Sequence, residues 1–404
     1  MTAAFLSMLI ASFNAAVNPP VVTLKPERLA ELMKKLEQPT RQETNLDPKD
    51  GPPEGSPPKF NYRFHREAHW PIIRAGNPAK APVLALLQDE TKPAQARGRA
   101  GAICAEWVFD KGGKYLVDPR MLKAVKDGLK NGPPEVKWAI VHQCYYHGLA
   151  DARIRMAALS HHDPKDTPPG GWPTPEDLSF SPAMMDELLP GIIALLKEDE
   201  PELVQTACST IHSFGQPDQG VAELIRATRH KDKQTRACAA MALGRVGSKD
   251  ATALTAILDL AKPEENDPAT YGMVLRAVGE FGPKAKAAVP LLIKAIDEVF
   301  LNRDPATFSL RCRCAEAAID SLGKIGPDAK VAVPLLIKYV EENHGWIKHV
   351  EAIEKIDVEG GKIARAYVDR KMAEFREQSI RRLTEQQGLI PEIPTPLPPP
   401  YEKK

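Results

Sequence analysis

The chain has 404 residues, with 54 Lys and Arg against 53 Asp and Glu, for a formal charge of +1. That balance excludes a wholesale nucleic-acid or membrane-surface binder, because both need net positive charge. A hydrophobic share of 43% excludes a mostly disordered chain, and an aromatic share of 6% argues against an all-β sandwich. The 38 prolines stand at nearly twice the usual share of about 5%.

No charged side chain occurs before Lys25. Ala3 to Val17 is apolar or small, with Phe5, Leu6, Met8, Leu9, Ile10 and Phe13, and it is too short for the ~20 residues that span a bilayer. Pro19 and Pro20 stop any helix. Residues 1–18 therefore read as the apolar core of a secretory signal, with cleavage near Ala15 or Ala16 and a periplasmic or extracellular destination. No Lys or Arg precedes the run and no A-x-A site closes it, so the alternative is a short buried N-terminal helix. Residues 19–75 read as a short amphipathic helix plus a linker. Pro26 opens the helix, and Leu29, Leu32, Met33 and Leu36 share one face. From Gln38 to Lys59 the chain carries Pro39, Pro48, Pro52, Pro53, Pro57 and Pro58 among charges, which predicts a flexible or PPII-like linker.

Residues 76–387 are periodic. Ala288-Val-Pro-Leu-Leu-Ile-Lys294 recurs as Ala332-Val-Pro-Leu-Leu-Ile-Lys338, and Gly-Pro-x-Ala-Lys precedes both copies. Gly215, Gly244, Gly279 and Gly323 each follow a large apolar residue. The positions two before them are small: Ser213, Ala242, Ala277 and Ser321. Small residues there let a neighbouring helix approach closely. Each unit reads as two helices, with Pro290 or Pro334 in the first turn of one and Asp232, Asp267 or Asp304 capping the other. The unit Asp232-Lys-Gln-Thr-Arg236-Ala-Cys-Ala-Ala-Met-Ala-Leu-Gly244-Arg-Val-Gly247 resembles the HEAT repeat family, in particular the short bacterial HEAT-like repeats of the phycobilisome-lyase type. The resemblance implies that Asp232 and Arg236 form the polar pair tying one repeat to the next, and Tyr271 and Ala315 break that ladder elsewhere.

Upstream, Ala81–Gln88 with Gln95–Val108, Pro119–Leu129 with Pro134–Tyr146, and Met184–Lys197 with Pro201–Phe214 form further pairs. Downstream, Ile363–Gln387 reads as a charged capping helix ending at Gly388. The expected fold is thus all-α, an α-solenoid (superhelix) of about six to seven HEAT-like helix pairs with that cap. Residues 388–404 read as a proline-rich disordered tail, in which Pro398-Pro399-Pro400-Tyr401 fits a PPxY pattern but a plain solvated tail is the simpler reading.

No motif for nucleophilic, zinc-protease or nucleotide chemistry occurs: G-x-S-x-G, H-E-x-x-H, G-x-x-x-x-G-K-[ST] and G-x-G-x-x-G are absent. Cys104, Cys144, Cys208, Cys238, Cys312 and Cys314 make no C-x-x-C and read as apolar fillers. His142, His147, His161, His162 and Asp163 are the candidate metal ligands, although His142 and His147 are not at the i, i+4 spacing of a shared helical site. The iron-binding His-Glu pairs of HEAT-like deoxyhypusine hydroxylases are absent. An insertion loop at 160–182 breaks the array, and Trp172 in it is a candidate anchor for a partner. Arg226, Arg229, Lys231, Lys233 and Arg236 crowd together, of which Arg229, Lys233 and Arg236 are partner-binding candidates. HEAT-like DNA glycosylases place such residues along a groove, but Glu223, Asp232 and Asp250 dilute the charge here.

An array of this kind offers an extended concave surface suited to a protein or peptide, which would dock there or on the insertion loop. The expected function is a non-catalytic scaffold with no cofactor and no transmembrane span. The alternatives are a lyase-like or metal-assisted enzyme and a nucleic-acid binder.

Overall fold

A computed structural model of the chain describes residues 24–38, 66–108, 118–148, 182–214, 218–262, 267–301, 305–342 and 347–387. The signal-like segment, the proline-rich linker after Gln38, the insertion loop up to Ser181 and the tail from Gly388 lie outside the described residues. So do Trp172, His161, His162 and Asp163.

The fold is an all-α stack of solenoid type, and among the described residues there is no strand. The helices are α1 (Pro26–Glu37), α2 (Arg66–Ala75), α3 (Asn77–Gln88), α4 (Ala94–Val108), α5 (Pro119–Asn131), α6 (Pro134–Gly148), α7 (Pro182–Ala194), α8 (Pro201–Phe214), α9 (Val221–Ala227), α10 (Lys233–Val246), α11 (Ala251–Leu260), α12 (Pro268–Gly279), α13 (Val289–Leu301), α14 (Pro305–Ile325), α15 (Val333–Glu342), α16 (Ile347–Ile356) and α17 (Val358–Gln387). Short 3₁₀ turns at Gly282–Ala288 and Gly326–Ala332 carry the two Gly-Pro-x-Ala-Lys copies into α13 and α15. The chain divides into two compact units, one through Ala277 and one from Val278.

The proline excess has a structural use. Pro26, Pro119, Pro134, Pro182, Pro201, Pro268 and Pro305 each open a helix, where the missing N–H would have had no partner. Aspartates do the complementary work. Asp232 accepts from the Thr235 N–H at 2.7 Å, Asp250 from the Thr252 N–H at 2.7 Å and Asp267 from the Thr270 N–H at 3.0 Å. Each satisfies an orphan donor of a first turn. Thr235 and Thr270 are buried, and their hydroxyls bond back to the same aspartates.

Second helices of successive pairs cross where side chains vanish. In the first unit a Cβ on Gly244 of α10 would lie 2.7 Å from the Ala277 carbonyl oxygen and 3.1 Å from its Cα on α12. In the second unit one on Gly279 would lie 2.8 Å from the Ser321 Cα, and one on Gly323 3.0 Å from the Ala352 Cα. Ala277 and Ser321 are the small residues two before the next glycine, so the glycine of one repeat rests on the small residue of its successor. Upstream, Gly98 of α4 rests on Glu135 and Ala139 of α6 in the same way. Around these crossings Leu243, Leu275, Leu292, Ile296, Leu322 and Leu336 are buried.

Packing starts earlier in the chain than residue 76. The buried Leu32 and Leu36 seat α1 on α2, α3 and α4, and α2 occupies residues assigned from sequence to the linker segment. Pro71 inside α2 hid it, since a mid-helix proline normally ends a helix. At the other end α17 caps α15 and α16 only through its early turns, which bury Ala364 and Val368. Beyond Asp369 its residues are mostly exposed, Met372 and Phe375 among them.

Gly244→Ala is expected to lower stability by about 1–3 kcal/mol, because the added methyl meets backbone and helix propensity returns only about 1 kcal/mol. Gly191→Ala in α7, whose Cβ would meet Leu129 at an ordinary 3.4 Å, is expected to be neutral or stabilising. Urea unfolding of the two variants beside the parent chain checks the contrast.

Candidate interaction surface

The basic cluster lies on the turn between α9 and α10, where Arg226, Arg229, Lys231 and Lys233 are exposed. Arg236 differs from them. Its guanidinium donates to the His230 carbonyl at 3.0 Å and the Lys231 carbonyl at 3.1 Å, holding the turn that precedes its own helix. Asp232 is not its partner. The Asp232 carboxylate caps α10 and also accepts from Gln205 Nε2 of α8 at 3.0 Å. The tie between these repeats is therefore Gln205–Asp232, which corrects the Asp232–Arg236 pairing implied by the family resemblance. Burial pushes the Asp232 carboxyl up, but the bonds from Thr235 and Gln205 outweigh it and hold the group below the usual carboxylate range. The buried Thr210 hydroxyl of α8 sits between two carbonyls, that of Thr206 in its own helix at 2.7 Å and that of Val141 in α6 at 3.2 Å, and its single proton is shared between a local and an inter-repeat contact.

The crossings that bury one side of the second helices leave the other side outward. In the first unit this side carries Ser209 and His212 on α8, Cys238 and Met241 on α10, and Met273 and Arg276 on α12, all half-buried except the exposed Arg276. Neighbouring helices join edge to edge there. His212 Nδ1 lies 3.1 Å from the Met241 carbonyl, and Gln234 Nε2 lies 3.5 Å from Met273 Sδ. Two methionines with a small polar and a cationic flank make an adaptable surface, because thioether side chains repack at little cost. The sequence signal for this row was the same period that marked the core, read one face further round.

Of the candidate metal ligands, only the His142 side chain falls among the described residues. His142 and His147 both belong to α6, but the His142 ring stacks on Trp138 at 4.4 Å and burial pushes it down to about 4. Among the described residues no group of three or more His, Cys, Asp or Glu side chains could hold a metal ion. The cysteines are free thiols. Burial raises Cys104 to about 12 and Cys238 to about 11, so neither carries the thiolate a nucleophile needs.

Polar groups that pattern reading missed sit inside the first unit. Gln143 of α6 donates to the buried Glu106 of α4, and His69 of α2 is 3% exposed with its ring edge-on to Trp70. Burial pushes His69 down to about 4, against the opposing pull of Glu106. In the second unit the Tyr339 ring meets His349 at 5.5 Å and Phe300 at 6.1 Å. A cleft of about 240 Å³ lies between the α3–α4 and α5–α6 turns, rimmed by Glu90, Arg97, Asp127 and Asn131. No helix among the described residues is long and apolar enough to cross a membrane.

The family model for HEAT repeats matches residues 189–266. Over that stretch the chain is similar to HEAT repeats. No curated protein matches it. Its structure is similar to that of one engineered protein over 85% of this chain and 94% of the other, at 14% identity and a TM-score of 0.39. It is similar to a second engineered protein over 59% and 98%, at 14% identity and a TM-score of 0.38. Neither likeness bears on what the chain does.

Neutral imidazoles buried in the fold make it acid-sensitive. The unfolded chain binds a proton at His69 and at His142 as pH falls through about 6.5, whereas the folded chain holds both off until about 4. Stability from these groups is complete above pH 6.5 and drains away between 6.5 and 4. For His69 alone the loss is on the order of 3 kcal/mol. Melting temperature against pH checks it, with His69→Gln expected to flatten the slope.

Proposed function

We propose that this HEAT-repeat chain is a non-catalytic scaffold that binds a peptide or extended protein segment along the outward row of its second helices. The observation carrying this reading is the row from Ser209 and His212 through Cys238 and Met241 to Met273 and Arg276. It runs across three successive helices of one unit and is built of soft, half-buried side chains. Extended surfaces of stacked repeats bind partners by repeated shallow contacts rather than by one deep cavity. The exposed Arg229 and Lys233 on the neighbouring turn add a positive edge, which favours a segment with acidic residues at its margin.

Met241→Asp with Met273→Asp is expected to abolish capture of the bound partner from the native host while the helical circular dichroism signal is retained and melting is lowered modestly. Arg229→Glu with Lys233→Glu is expected to weaken capture more at low salt than at high salt. Equal capture by all variants, or stoichiometric zinc or iron in the purified protein, would overturn the reading.

Export belongs to the same proposal and is supported by the uncharged, apolar run before Lys25. N-terminal sequencing of the mature chain is expected to begin between Ala16 and Asn18. A mature chain that retains Phe5 to Phe13 ends that part of the proposal.

A further inference from the structure

At the start of the array, α1 differs from the helices that follow. Only Gly76 separates α2 from α3, and residues 89–93 separate α3 from α4, whereas residues 38–65 intervene between α1 and the array. Its contact is confined to one face. Leu32 and Leu36 are fully buried against α2, α3 and α4, Leu29 and Met33 are half-buried, and the opposite face is exposed. Twelve residues are too few for a stable isolated helix, so α1 owes its helicity to that seat.

The polar contacts at the seat read the end of a helix, through its main-chain carbonyls and one acidic side chain. Arg99 of α4 is 1% exposed, and its Nε donates to the Leu36 carbonyl at 2.7 Å. Its Nη2 donates to the Gln38 carbonyl at 3.0 Å. These are carbonyls with no acceptor role left inside the helix, and the negative end of the helix dipole faces the buried guanidinium. Beside it, Lys92 pairs with Glu37 at 2.7 Å. A guanidinium buried in α4 is satisfied by main-chain oxygen that any helix C-terminus supplies, and the groove beside it takes two leucines one turn apart.

We propose that the groove of α2, α3 and α4 is a binding site for short amphipathic helical peptides, with Arg99 recognising the helix C-terminus and α1 occupying the site as a tethered, exchangeable ligand. The ligand class follows from the seat: leucine at i and i+4, the main-chain carbonyls of the second leucine and of the residue two beyond it presented to Arg99, and an acidic side chain between them for Lys92. The site is separate from the row on α8, α10 and α12 and does not depend on it. Covalent linkage sets the competition, because a segment of the same chain meets the groove intramolecularly and a separate ligand does not. A trans ligand must therefore displace α1, which makes α1 a built-in brake on the site.

The test uses the full chain and a labelled synthetic peptide of residues 24–40. Leu32→Asp with Leu36→Asp should unseat α1 and leave the groove open. That variant is expected to bind the peptide saturably at one to one, at least tenfold more tightly than the parent chain, with the peptide turning helical on binding. Adding Arg99→Ala should weaken binding at least tenfold, and Arg99→Lys should fall between, since one ammonium cannot reproduce the two-point guanidinium contact. A second measurement covers the case in which the unseated variant loses its fold. A protease site is placed at Gly55 in the otherwise unaltered chain, and excess labelled peptide is added after cleavage. Exchange of the cut fragment for the peptide, with melting of the remainder unchanged, supports the proposal. It is overturned if the opened chain binds no better than the parent, if Arg99→Ala has no effect, or if the cleaved chain unfolds or never exchanges its fragment.

Discussion

Close contact between successive second helices is the constraint from which the rest of this structure follows. Where Gly244 lies on Ala277, or Gly279 on Ser321, two helix backbones come within a methyl group of each other, and no larger residue fits either position. That contact sets the register between repeats. It therefore decides which residues of each helix are buried and which point outward. Leu243 and Leu275 fall inside because the glycine pins the rotation of their helices. The same rotation brings Cys238, Met241 and Met273 to the outside. Core and candidate binding row are thus two consequences of one steric rule.

Polar groups reinforce that register at a few points only. Asp232 ends the orphan donors of α10 and at the same time accepts from Gln205 one repeat earlier, so a single carboxylate serves local and inter-repeat order. Thr210 reaches the Val141 carbonyl in the same spirit. The ion pairs that also cross between neighbouring elements, such as Lys324 with Glu280 and Lys330 with Asp357, are partly solvent-exposed and contribute modestly each. The array holds by packing first, by capping second and by surface charge last. The buried groups whose charge would matter, His69 and the thiol of Cys104, are held neutral by desolvation, which suits a structural interior.

Both ends of the array carry a face that internal repeats do not have. At the beginning, α1 covers the first pair and hands its C-terminal carbonyls to Arg99. At the end, α17 covers α15 and α16 with Ala364 and Val368 and then runs on into solvent. A repeat stack must close its terminal core surfaces somehow. Here the two closures differ in kind, one by a tethered helix with a cationic clamp and the other by a continuous charged helix.

Much of the architecture was written in local pattern. The recurring Ala-Val-Pro-Leu-Leu-Ile-Lys, the aspartates before helices and the glycines behind a large apolar residue all act within about one helix turn of where they sit. Their consequences for helix starts, ends and faces are legible without coordinates. The small residues at Ala277 and Ser321 were legible too, because their role needs only that something approach them. What required the tertiary structure were choices of partner. Arg236 lies four residues from Asp232, a spacing that invites pairing, yet Asp232 takes Gln205 from another helix and Arg236 takes carbonyls of the turn. Pro71 concealed α2, since the burial of Ile72 and Ala68 that stabilises it comes from distant neighbours. Arg99, in a run of small residues, gave no sign that it would be buried against the end of α1. Local sequence dictates periodicity because it depends on neighbours along the chain. Which polar group meets which depends on distances through space, and those exist only once the helices are stacked.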